Sequence, residues 1–126
     1  MNNLEVNPID SFINLKELLS YKINREANTD FLTFVRFMAP SLVSDFKMGK
    51  HIEVISNKLK ELEEGTIKRL MVFLPPRSSK SMICSKLFPA WYIGRNPEHE
   101  ILTVSHSDQL SSDFGRSVRD IVNTEE

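Results

Sequence analysis

With 126 residues the chain is long enough for one domain around one hydrophobic core. Its 40% hydrophobic and 26% charged residues are ordinary for a globular protein, and a net charge of -1 excludes a whole-molecule electrostatic argument for nucleic-acid or membrane binding. The single cysteine, Cys84, excludes an intramolecular disulfide, no apolar run approaches the ~20 residues that span a bilayer, and no leader pattern opens the chain, so the sequence reads as cytoplasmic.

The spacing of Phe12, Leu15, Leu18 and Leu19 predicts an amphipathic helix over Ile9–Lys22. The stretch "NTDFLTFVRFM" then offers cap residues followed by Phe31, Phe34, Val35 and Met38 at helical spacing, with Pro40 as its stop. A third stripe, Ile52, Ile55, Leu59 and Leu62, closes at Gly65 in the place of a C-cap. Beyond Gly65 the pattern changes. "RLMVFL" and "EILTV" are short apolar runs of the kind expected for buried parallel strands. Between them Leu87, Phe88, Trp91 and Tyr92 give one helix an apolar face, which Pro89 should kink or split. A last helix over Ser107–Val122 has Ser107 as N-cap, Asp108 in its first turn, and Leu110, Phe114, Val118 and Ile121 along one side.

This order predicts an α/β fold. A helical N-terminal lead, 1–65, precedes an incomplete parallel sheet with flanking helices over 66–126, in the order strand, loop, helix, strand, helix. The chain reaches "NTEE" where a third strand would be due, so it reads as the front of a larger domain.

"LPPRSSKS", Leu74 to Ser81, lies where the first strand meets the helix. Such a junction aims backbone N–H groups and the positive end of the helix dipole at one point, which suits a phosphate. Lys80 would reach the outer phosphates, Ser81 would offer its hydroxyl to a magnesium ion, and Arg77 adds a planar second cation. The usual phosphate-binding loop has glycine where Leu74 and Ser79 stand. A left-handed non-glycine at 79 costs about 1 kcal/mol, which would weaken the site about fivefold, whereas the lysine's charged hydrogen bond is worth roughly 1.5 to 3 kcal/mol.

The block "RLMVFLPPRSSKS", followed by "KLFPAWYIGRNPEHEILTVSHSDQLSSDFGRSVRDIV", resembles the N-terminal part of the ATPase domain of tailed-phage terminase large subunits, the motors that pump DNA into procapsids. The resemblance runs from about Phe31 to the end and is densest from Arg69 to Val122. It implies a P-loop NTPase-type fold and a cofactor, ATP with Mg2+, bound by Pro76, Arg77, Ser78, Ser79, Lys80, Ser81 and Met82. Ser81 would be the metal ligand, with Arg77 and Lys80 as the catalytic candidates and Arg77 stabilising the γ-phosphate. His51 stands near where members meet the adenine, although a lone histidine is more often a surface or packing residue. The resemblance further implies double-stranded viral DNA, portal protein and small terminase subunit as partners, a ring of copies in the full-length protein, no membrane, and a place in the host cytoplasm at the procapsid portal.

Several tempting residues have plainer readings. Ser107 caps a helix, which leaves little for His106 in "SHS"; Arg95, Arg116 and Arg119 alternate with acids and read as a solvated face; Phe88, Trp91 and Tyr92 read as core. No run of four apolar residues followed by Asp-Glu appears, nor does a cluster of nuclease carboxylates, so hydrolysis and DNA cutting by this chain alone are not expected. A non-catalytic interaction module binding small terminase, portal or host partners is the alternative from another class. A small-molecule P-loop kinase fits less well, because no set of substrate-clamping arginines accompanies the loop.

Overall fold

A computed structural model describes residue 22 and residues 24–123. The helix expected over Ile9–Lys22 lies, Lys22 apart, outside the described residues. Residues 24–29 are helical (α1), and Asp30, extended at φ -128°, interrupts the helix and caps the next, α2 (Phe31–Leu42). Its carboxylate accepts from the Thr33 backbone N–H at 3.0 Å and from the Thr33 hydroxyl at 2.8 Å. The cap satisfies a donor that the first turn leaves orphaned and places an acid at the positive end of the helix. Pro40 sits in the last turn and the helix runs two residues past it, the Val43 N–H closing on the Ala39 carbonyl at 3.1 Å.

Helix α3 (Lys50–Glu63) buries Ile52, Ile55 and Leu59, as their spacing requires. Gly65 ends it at φ 77°, a conformation free of Cβ strain only for glycine, and the Ile67 N–H reaches back to the Glu61 carbonyl. The Lys60 ammonium lies 3.2 Å from Asp30 and ties α3 to the start of α2. Burial pushes the Asp30 carboxyl upward, but the Thr33 hydroxyl and N–H and the Lys60 charge outweigh it and hold its pKa below the ordinary 3.8. A depressed folded pKa stabilises the fold fully above the ordinary value, and the gain is lost as pH falls through the folded one. Asp30→Ala is therefore expected to cost about 1 kcal/mol near neutral pH. Urea denaturation at a series of pH values should show the deficit shrinking in acid.

The predicted parallel sheet is absent: the architecture is helical, and no strand occurs among the described residues. The runs 69–74 and 100–104 are extended, yet no backbone hydrogen bond joins them to each other or to a neighbour among the described residues. Apolar content made both look like strands buried on two faces. Instead, 69–74 lies one-sided on the helices, with Leu70, Val72 and Leu74 packed inward while Met71 and Phe73 are 82% and 85% exposed. Leu102 and Val104 are 88% and 80% exposed. Extended chain becomes sheet only through a ladder of inter-strand bonds, and neither run has one here.

A continuous helix opens at Lys80, passes through a π-helical segment, Met82–Leu87, and continues as α4 (Phe88–Arg95). Pro89 explains the irregularity. It has no N–H to donate and its ring crowds the carbonyl four residues back, so the expected kink is taken up as a wider turn in which the Phe88 N–H reaches Ile83. After a turn at Asn96, α5 (Asp108–Asn123) begins with the Leu110 N–H donating to the Ser107 hydroxyl at 3.4 Å.

The π segment is the centre of the molecule and packs on α2, α3 and α5. Ile83 and Leu87 are fully buried there with Phe31, Val35 and Ile52, and Ile121 closes the far side. The buried Trp91 Nε1–H donates to the Ala27 carbonyl at 2.9 Å. One core thus draws on residues from both sides of Gly65.

Candidate functional site

The loop 74–82 leaves the extended run and enters the central helix in one tight bend. The Ser78 hydroxyl donates to the Pro75 carbonyl at 2.7 Å and holds the turn closed. Two non-glycine residues in it have left-handed backbone, Arg77 at φ 63° and Ser79 at φ 60°. Helical residues begin directly afterwards at Lys80, and the Ile83 N–H bonds the Ser79 carbonyl at 3.1 Å. The sequence anticipated the left-handed turn at 79 from the glycine that the motif prefers there. Nothing in the pattern announced a second one at Arg77.

Ser79 has the left-handed backbone that the loop requires, at a cost of about 1 kcal/mol that belongs to the fold's own stability.

Residues 74–82 line a concavity of about 380 Å³, inside the range of roughly 300–1,000 Å³ typical of small-molecule sites. Pro76 and Arg77 are exposed on its rim; Ser78, Ser79 and Lys80 are half-buried; Ser81 is exposed in the first helical turn. Met82 lines the floor with a side chain that belongs to the core. Neither Arg77 nor Lys80 has a side-chain hydrogen bond or ion pair among the described residues, so two cations share one bend without a neutralising carboxylate. Lys80 does sit near Cys84. Burial pushes that thiol's pKa up, and the Lys80 charge partly opposes the rise.

No group of three or more His, Cys, Asp or Glu side chains that could hold a metal occurs among the described residues. Ser81 is exposed in the first helical turn, so its hydroxyl is the group that would meet a magnesium ion arriving with a nucleotide, an ion that keeps several waters and binds largely through the phosphates. Such an ion would supply charge neutralisation between phosphate oxygens.

His51 lines a second cleft, which shares Leu74 with the loop concavity. It is exposed in the first turn of α3, its ring rests against Gly49, and it lines that cleft with Val54, Lys58 and the extended run 70–74. The arginines considered for DNA are engaged elsewhere: Arg95 bonds Glu63 at 3.1 Å and the Asn28 carbonyl at 2.7 Å while lying 5.0 Å over the Trp91 ring, and Arg116 pairs with Asp113. Ser105 donates to the Ser107 carbonyl at 2.6 Å, so the "SHS" turn is occupied in starting α5.

Comparison with family models, with curated proteins and with solved structures finds no match for this chain.

Proposed function

We propose that the loop 74–82 binds the phosphates of MgATP, and that the chain is the nucleotide-binding front of a DNA-packaging motor of the terminase type. The reading rests on the loop and on the sequence block around it, not on a sheet. One observation supports it above the others: Ser79 is held left-handed immediately before Lys80, at the start of a long helix, with no glycine to make that conformation cheap. Strain kept at a loop whose two cations have no ion-pair partner among the described residues supports a binding role for the loop. Backbone N–H groups at the helix start and the Lys80 ammonium would hold the outer phosphates, Arg77 would grip oxygens on the open side, and Ser81 would meet the magnesium ion. The packaging partners, viral DNA, portal and small terminase subunit, follow from the sequence resemblance alone.

Calorimetric titration with MgATP tests the site, with two variants that separate loop shape from chemistry. Ser79→Gly keeps the left-handed turn and is expected to hold affinity within about twofold. Ser79→Val puts a β-branched residue where it fits badly and is expected to weaken binding about tenfold. Absence of any MgATP heat from the parent chain would sink the proposal, and equal affinity in both variants would mean that the loop's shape is irrelevant to binding.

The alternative reading, a non-catalytic interaction module, has an observation of its own: the two extended runs present bare apolar side chains.

A further inference from the structure

Those two runs match each other in a way that neither needs for the helical core. Cations stand at the start of the first, Lys68 and Arg69, and acids at the start of the second, Glu98 and Glu100. All four are exposed, and none has a hydrogen bond or ion pair among the described residues. Laid side by side in the same direction, the runs align residue for residue. Arg69 falls beside Glu100, Met71 beside Leu102 and Phe73 beside Val104, which sets the outward residues of the first run against the most exposed apolar residues of the second. The opposite direction would set Arg69 against Val104 and Glu100 against Phe73, placing charge on apolar surface.

We propose that residues 69–73 of one copy of this chain pair in parallel with residues 100–104 of a second copy. Unpaired extended backbone is a template for another chain, and within one copy the two runs make no such bonds among the described residues. Pairing between copies gives each run its ladder, brings Met71 against Leu102 and Phe73 against Val104 on one face, and joins Arg69 to Glu100 across the strands. A net charge of -1 leaves little repulsion between copies. Both runs exist on every copy, so the surface is self-complementary. This inference does not depend on nucleotide binding.

Sedimentation velocity over a concentration series provides the test, using the full chain and charge reversals at exposed sites that leave the helical core untouched. The parent is expected to associate reversibly. Arg69→Glu and Glu100→Arg, each alone, place like charges across the pair and should raise the half-association concentration about tenfold. The double variant should regain the parent's behaviour, as should an equimolar mixture of the two single variants to a lesser degree. A parent that stays monomeric at all concentrations overturns the proposal. So does association that charge reversal leaves unchanged, because it would show unspecific apolar clustering, or a double variant no better than either single one. Circular dichroism of each variant confirms that helix content is preserved.

Discussion

Lys80→Ala is expected to weaken MgATP binding about tenfold to a hundredfold while leaving the fold intact. The magnitude follows from the ~1.5–3 kcal/mol of a charge-assisted hydrogen bond. Structural damage should be small because the ammonium has no hydrogen-bonding or ion-pair partner among the described residues, and its removal orphans no buried acceptor there. A separate signal shows that the substitution acts where it should. Burial already raises the Cys84 pKa and the Lys80 charge opposes that rise, so without Lys80 the thiol becomes still harder to ionise. Alkylation of Cys84 near pH 8 should therefore slow in the variant, with no nucleotide present. Undiminished MgATP affinity together with slower alkylation would place Lys80 correctly and remove it from the nucleotide site.

Phe31→Ala is expected to cost the most stability, about 3–5 kcal/mol. Phe31 is the first residue of α2 and is 0% exposed. Its ring meets Phe88 edge-on at 5.4 Å between centroids, tilts against Trp91 at 5.2 Å and stacks with Phe34 at 6.3 Å. Truncation empties the joint between α2 and the central helix and removes ring contacts worth about 0.5–1.5 kcal/mol each beyond burial. Against a typical total of roughly 5–15 kcal/mol, the variant should show a much lower urea midpoint. Phe37 supplies the control, since it is 54% exposed on the other side of α2, and Phe37→Ala should stay within about 0.5 kcal/mol of the parent. Similar small losses from both would mean that the aromatic cluster does not organise the core.

Helices α2, α3 and α5 were legible because their determinants are local, whereas the helical turn at 24–29 was not expected. Asp30 and Thr33 form a cap within one turn, the α3 stripe repeats at helical spacing, Gly65 supplies a left-handed stop, and Ser107 starts α5. Pro89 signalled an irregularity at the right place, though whether a kink or a π turn results depends on how Ile83 and Leu87 are gripped by three other helices. The extended runs were misjudged for the opposite reason. Apolar composition reports the wish to be covered but not what covers it, and a strand is defined by a neighbour that the run itself does not encode. In the loop, the left-handed Ser79 was legible from the glycine that the motif prefers there. The second left-handed residue, Arg77, arises from the closure of the Pro75 to Ser78 turn, and His51 lines a neighbouring cleft formed where α3 meets residues 70–74.

Two-dimensional amide NMR of the chain titrated with MgATP tests the phosphate site most directly. The expected result is saturable shifts at the amides of residues 77–82, absent from the same titration of Lys80→Ala. Amides of 77–82 that stay unmoved while MgATP is added to excess, or shifts confined to the cleft around His51, would contradict phosphate binding at this loop.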